Sequence, residues 1–225
     1  MKIVYGLDES RLVSYQNKQL DREVIAPLEQ MAARAKQAGF ELGLVSGFRS
    51  YQAQASIWND KFKGERPINL RDGSQFCVSG KSERDIVSAI LNYSMLPGAS
   101  RHHWGTDLDV YAINCQPDSQ PLQLTPQEYC DSGPQAEFAL WLDAHAAEFG
   151  FFRPYARDLG GVAPEPWHLS YAPLAEKYLQ ALTAEELARV IASHPIAGQA
   201  TVIAMLPEII AQYAINICPA EDICY

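Results

Sequence analysis

The sequence predicts an α+β fold, on three observations. Segments with apolar residues three or four apart, the helical period, are mixed with short strand-like runs. The two kinds do not alternate in the strand–helix–strand rhythm of a parallel sheet. Of the 225 residues, 48% are hydrophobic and 20% charged, without a repeat or a low-complexity tract, so the chain can bury one sizeable core.

The elements follow in order. Asn17 to Ala38 place Leu20, Val24, Leu28, Met31 and Ala35 three or four apart, which predicts an amphipathic helix stopped by Gly39. FELGLVSG reads as a short buried strand. SYQAQASIWNDKF reads as a second helix with Ser50 as its N-cap. Gly64 to Gly80, rich in Gly, Pro and polar residues, reads as a loop. SERDIVSAILNYSM is a helix opened by Ser82 and ended by Pro97 and Gly98. GTDLDVYAI alternates enough to be a strand. Asn114 to Gly133, with Pro117, Pro121 and Pro126, is a long excursion, a lid or a surface loop. Gln135 to Phe149 forms a helix ended by Gly150. FFRPY and WHLSY are short strands flanking the turn-rich DLGGVAPEP. Pro173 to Ile217 is mostly helical, with breaks near Thr183, Pro195 and Pro207. We expect residues 1–172 to form one domain, with 173–225 a helical extension packed on it.

Charge and termini exclude several classes. There are 18 Lys+Arg against 27 Asp+Glu, a net charge of −9, which argues against nucleic acid and anionic membranes as partners. No stretch approaches the roughly 18–20 apolar residues of a membrane helix. The opening MKIVYGLDES lacks the long apolar run of a secretory signal. The expectation is a soluble, cytoplasmic protein, periplasmic if a signal was trimmed. Of the five cysteines, Cys77, Cys115, Cys130, Cys218 and Cys224, none forms a CxxC pair, so a thiolate zinc ribbon is not expected. Cys115/Cys130 and Cys218/Cys224 are the pairs an oxidising compartment would bridge. Reduced thiols are the first expectation.

Elimination narrows the chemistry. The sequence has no GxSxG elbow and no SxxK, Walker A, GxGxxG or HExxH motif. Two of the five histidines are adjacent in SRHHWGTDLDVY, and a third lies in EPWHLSY. A catalytic zinc takes three protein ligands and leaves a position for water, with a free carboxylate nearby to accept a proton. The two segments supply His102, His103, Asp107, Asp109, Glu165 and His168. On a strand, Asp107 and Asp109 share a face. Glu165 and His168 are three apart and converge only if the chain turns at Pro166–Trp167. His145 and His194 read as hydrogen-bonded structural residues.

Three segments together resemble the M15 zinc metallopeptidases, the D-alanyl-D-alanine carboxypeptidase and dipeptidase family of the VanY and VanX types. That family carries SGYRS with a Gln four residues on, then SxHxxGxAxD, then ExxH, often as EPWHxRY. The counterparts are SGFRSYQAQ, SRHHWGTDLD and EPWHLSY, in the same order with the same internal spacings, within Asn17 to Tyr171. The resemblance implies a small antiparallel sheet flanked by helices. It implies zinc ligands His102, Asp109 and His168, and Glu165 as the general base that activates water. Arg49 matches the arginine that stabilises the oxyanion or the peptide, while Gln54 and Ser100 line the substrate site. The implied substrate is a peptidoglycan-type peptide, with release of D-Ala as the first reading. L,D-carboxypeptidase, D,D-dipeptidase and endopeptidase activities occur on similar scaffolds.

The sequence departs from the pattern in places. Phe48 replaces Tyr, Ser170 replaces the Arg of EPWHxRY, and Asp107 stands where the pattern has Ala. Asp107 is a candidate partner to a ligand histidine, or a competing ligand, and His103 is a second candidate imidazole. Glu165 favours an enzyme over a non-catalytic zinc module that recognises peptide or glycan, because a pure binder needs no base. A metal-free interaction protein using the helical tail is the third reading.

Overall fold

The computed structural model describes residues 2–220. A four-stranded antiparallel sheet, order β3-β6-β8-β7, stands at its centre. The strands are β3 (Leu42–Ser46), β6 (Asp107–Ala112), β8 (His168–Tyr171) and β7 (Phe151–Phe152). The α+β reading and the small antiparallel sheet both hold.

Strand alternation divides the sheet into two faces. Leu108, Val110 and Ala112 of β6 and Leu169 of β8 point into an apolar cluster with Leu42, Leu44 and Phe151. Helix α1 (Ile25–Gln37) adds Leu28, Met31 and Ala35, and α4 (Ala136–His145) adds Phe138, Trp141 and Leu142. Burying each such side chain is worth about 1.5–3 kcal/mol. The intervening residues, Asp107, Asp109, His168 and Ser170, therefore face the other way, and they too are buried. Register makes them neighbours: Asp109 lies opposite His168 and Asp107 opposite Ser170.

A second apolar cluster lies beyond that face. It joins α2 (Tyr51–Lys63) and α3 (Glu83–Ile90) with the C-terminal helices α5 (Ala172–Ala181), α6 (Ala184–Ser193) and α7 (Gln199–Ile209). Trp58 of α2, fully buried, donates to the Ala197 carbonyl at 3.0 Å. Tyr51 donates to the His194 carbonyl at 2.7 Å. The C-terminal helices thus share a core with the helix that carries Gln54.

Both predicted caps are present. The Ser50 hydroxyl accepts from the Ala53 N–H, and Ser82 accepts from Asp85, each at 3.2 Å. Four boundaries differ from expectation. The helix expected from Asn17 begins at Ile25, because β1 (Leu12–Tyr15) and β2 (Lys18–Asp21) form a hairpin. Gln16 and Asn17 form its two-residue turn with φ of 46° and 60°, a turn written without the usual glycine. The expected loop 64–80 contains a short ribbon, β4 (Ile68–Asn69) with β5 (Gln75–Phe76). Helix α3 stops at Ile90, several residues before Met95. Pro207 sits inside α7, which runs on into a π turn at Ile210–Ala214.

Cys77, Cys115 and Cys130 are free thiols, so no bridge joins Cys115 to Cys130. The other suggested pair ends at Cys224, outside the described residues. His145 pairs with Glu148 at 2.7 Å, and the ring of His194 faces the Val190 carbonyl, as structural histidines do.

Candidate metal centre

Gly105 sets the approach to the centre. His102 lies in a single 3-10 turn, Arg101–Trp104, which Gly105 closes with φ of +70°. A Cβ at Gly105 would sit 2.8 Å from the Asp21 nitrogen, so the turn needs glycine on both counts. The chain then enters β6 and delivers Asp109 seven residues after His102. On the other side, the His168 N–H donates to the Glu165 carbonyl at 3.0 Å. This is the turn at Pro166–Trp167 that the spacing required.

The hydrogen bonds fix both ligand histidines. A carbonyl only accepts, so His102 donates from Nδ1 to Gly47 O at 3.0 Å, and its Nε2 is left with a lone pair. That Nε2 stands 3.5 Å from Asp109 Oδ2. His168 Nε2 faces Asp107 Oδ1 at 2.9 Å, which directs Nδ1 toward Asp109 Oδ1 at 3.3 Å and Glu165 Oε2 at 3.4 Å. Among the described residues, His102, Asp109 and His168 form a group whose ligand atoms lie within 4.8 Å of one another.

The atoms fit a metal. Asp109 Oδ1 and His168 Nδ1 are buried and have no hydrogen-bond partner. Such atoms are costly unless something else satisfies them. Tetrahedral ligands at the Zn–N and Zn–O distances of about 2.0–2.1 Å stand roughly 3.3 Å apart. The observed separations of 3.5 and 3.3 Å match that spacing. Two nitrogens and one carboxylate also form an ordinary catalytic zinc donor set.

Electrostatics point the same way. Burial pushes His102 down to about 4, against the pull of Asp109, so its imidazole is neutral and able to ligate. Burial disfavours a charge on His168, but its contacts with Asp107, Asp109 and Glu165 outweigh burial and raise its pKa well above the ordinary value. Three carboxylates around one imidazole mark a place for a cation. Burial likewise raises the Glu165 carboxyl, with His168 opposing. A carboxylate with raised affinity for a proton suits proton transfer near neutral pH.

Asp107 is a partner, not a ligand. It accepts from Arg101 Nε at 2.7 Å, Thr106 Oγ1 at 2.8 Å and Ser170 Oγ at 3.1 Å, besides His168. Burial alone would raise its pKa, but the charge of Arg101 and the contact with His168 hold it well below the usual carboxylate range. Arg101 Nη2 also donates to Ser170 Oγ at 2.6 Å. The departures at 107 and 170 are therefore one buried unit centred on Arg101, a residue the sequence reading did not single out. Its only sequence signal was a cation beside the paired histidines.

His103 stands outside the group of His102, Asp109 and His168. Its Nδ1 donates to Arg49 O at 2.6 Å and its Nε2 accepts from the Gly98 N–H at 2.9 Å, so both nitrogens are engaged. Arg49 faces the cleft, where its Nη1 donates to Gln54 Oε1 at 2.9 Å. Gln54 is buried and anchored to the Met95 carbonyl at 2.6 Å. Burial lowers the guanidinium's pKa, while Asp109 and Glu165 oppose that. Ser100 is buried at the cleft floor. Sequence reading also missed Tyr155, whose ring meets His168 edge-on at 4.9 Å. The cleft has a volume of about 620 Å³ and reaches from these residues to Leu124–Gln127 of the long excursion.

Two imidazoles and a carboxylate, two of their atoms orphaned, with a glutamate and an arginine beside them, form a candidate metal site of the kind a metallohydrolase uses. Residues 17–174 match the family model VanY, D-alanyl-D-alanine carboxypeptidase. The chain belongs to that family. It is similar to an uncharacterised protein of Haemophilus influenzae, 35% identical over 122 residues, which cover 53% of this chain and 93% of the relative. It is also similar to the putative carboxypeptidase YodJ of Bacillus subtilis, 29% identical over 159 residues, 69% of this chain but 47% of YodJ. A solved VanY from the VanB-type resistance cassette, a glutamate-to-alanine mutant in complex with Zn(II), is 25% identical with a TM-score of 0.52 over 78% of this chain and 87% of that one. VanYB in complex with D-alanine-D-alanine has a TM-score of 0.53 at 23% identity, over 79% of this chain and 87% of that one, and shares the fold. No helix among the described residues is long and apolar enough to cross a membrane.

Proposed function

We propose that this chain is a zinc-dependent carboxypeptidase that releases D-Ala, or another D-amino acid, from peptidoglycan-type peptides. The observation that carries the reading is the orphaned pair Asp109 Oδ1 and His168 Nδ1, facing His102 with Glu165 at the edge. His102, Asp109 and His168 would hold the ion. Bound there, zinc supplies a Lewis acid that polarises a carbonyl and lowers the pKa of water.

The chain's own residues do the rest. Glu165 accepts a proton from the attacking water and returns it to the leaving amine. Arg49, held by Gln54, presents a fixed guanidinium to negative charge developing on the carbonyl oxygen or to the terminal carboxylate. Asp107 holds His168 in one orientation, and the buried strand face excludes water from behind the ligands. Residues 1–172 are the peptidase domain and 173–225 a helical extension of the same domain. That division is supported by the family match ending at 174 and by the core shared with α2. Action in the cytoplasm on free peptides, or outside it on the wall, is compatible with this site.

The test is a product assay on defined muropeptides with metal analysis of the same preparations. Glu165→Gln should retain zinc and lose roughly 10²–10⁴-fold in kcat, the range for a removed general base. Full D-Ala release by Glu165→Gln, or by zinc-free protein, would sink the mechanism.

A further inference from the structure

The cleft runs past the candidate metal centre along α2. Gln54 and Lys61 lie seven residues apart on one face of that helix, a rise of about 10 Å. Lys61 lines the cleft, half-buried, and its Nζ donates to Ser94 Oγ at 2.6 Å. Arg66 lines the same wall from the segment after α2. Of the other cleft cations, Arg49 is held by Gln54 in the site already described and two are paired. Arg71 pairs with Asp158 at 2.5 Å, and Arg101 pairs with Asp107. Among the described residues, no ion pair reaches Lys61 or Arg66. In a chain of net charge −9, two cations in one cleft wall, neither in an ion pair among the described residues, present positive charge to an anion, with Glu165 the carboxylate that acts on Lys61 from the centre. Lys61 is also already fixed by Ser94, so little of its rotamer freedom remains to be lost on binding.

We infer that Lys61, Ser94 and Arg66 form a second anion subsite, which takes a side-chain carboxylate of the peptide substrate. The inference rests on the proposed carboxypeptidase reading. It makes the substrate an acidic peptide with two recognised carboxylates, the terminal one near Arg49 and another farther along the cleft. Arg49, Lys61 and Arg66 line one cleft, so the second carboxylate is that of a residue preceding the terminal pair. Burial and the neighbouring Arg66 and Arg49 push Lys61 down to about 8, and an incoming carboxylate relieves that repulsion.

The experiment measures binding apart from turnover. Peptides ending in D-Ala-D-Ala are made with a side-chain carboxylate, or its carboxamide, at either of the two preceding residues. They are titrated calorimetrically into zinc-loaded Glu165→Gln protein, and hydrolysis by the unsubstituted protein is followed in parallel. One acid peptide should bind about tenfold or more tighter than its amide, the weight of a charge-assisted hydrogen bond. Lys61→Met, which keeps the apolar stem, should bring that ratio near one. Arg66→Met, at an exposed position, should lower it several-fold. Equal binding of acid and amide at both positions overturns the subsite, as does no binding of any peptide, or a ratio unchanged in both variants. Discrimination without turnover would leave the subsite standing and sink only the carboxypeptidase reading. Turnover without discrimination would do the reverse.

Discussion

Removing the charge of Asp107 separates what this carboxylate does for folding from what it does for the metal. Asp107 is fully buried and receives four donors, from Arg101, Thr106, Ser170 and His168, at 2.7 to 3.1 Å. Asp107→Asn keeps the shape but leaves the Arg101 guanidinium, only 3% exposed, without a counter-charge. Breaking a buried ion pair from one side costs about 3–5 kcal/mol. For a chain of this length, that is a loss of about 10 °C in Tm. The amide can keep Oδ1 toward Arg101 and His168 and turn its NH2 to the Thr106 and Ser170 hydroxyls, but the acceptor that orients the His168 ring loses its charge. Zinc affinity should fall about 10–100-fold. Arg101→Met with Asp107→Leu removes both charges together and should recover much of the stability, because apolar replacement of a buried pair is often neutral or better. It should not recover zinc affinity, since Nε2 of His168 then lacks its acceptor. Thermal unfolding in chelator and zinc competition with a chromophoric chelator read the two quantities separately. Wild-type zinc affinity in the double variant would refute the claim that Asp107 positions His168. A stability loss under 1 kcal/mol in Asp107→Asn would refute the buried ion pair.

Other predictions follow from the same geometry. Removing zinc should lower Tm, and restoring it should raise Tm with zinc concentration, because an ion that binds only the folded chain stabilises it by mass action; a Tm indifferent to zinc would count against the site. Lys61 carries its charge below about 8 and loses it above, whereas an ordinary lysine keeps it to about 10.4. With Arg66 and Arg49 always charged, and Glu165 replaced by Gln in the protein titrated, preference for the acid peptide should therefore weaken as pH rises through 8 and 9, seen in Kd ratios across that range. A preference constant to pH 10 would exclude Lys61 as the cation. Ser50→Ala should cost about 1 kcal/mol by denaturant unfolding, for loss of the cap on the helix that holds Gln54 and Lys61. An unchanged midpoint would show that packing of Trp58 and Ala55 alone holds that helix end.

Much of the centre was legible in the chain because short-range rules govern it. The alternation of TDLDV puts two carboxylates on one strand face, and Ser50 and Ser82 announce their helices, whereas the turn at Pro166–Trp167 was only a condition that the structure meets. Boundaries were less legible. The hairpin before α1 hides because its turn is Gln16–Asn17, where no glycine marks the positive φ. Leu20 serves the core equally well from a strand as from the helix its spacing suggested. Pro207 looked like a break, yet α7 runs through it.

Residue chemistry alone left the choice between the adjacent histidines open, and only the family motif favoured His102. His102 and His103 are adjacent and chemically alike, and only the carbonyls of Gly47 and Arg49 and the amide of Gly98 decide which ring is free to ligate. The same holds for Arg101, which acquires meaning when strand pairing brings Asp107 and Ser170 together from 63 residues apart. Local sequence determined which residue types stand at each turn and strand face, because period, proline and caps act within a few residues. Tertiary structure decided which nitrogen keeps its lone pair and which cations remain without a partner, because those outcomes depend on groups that only long-range pairing brings into contact.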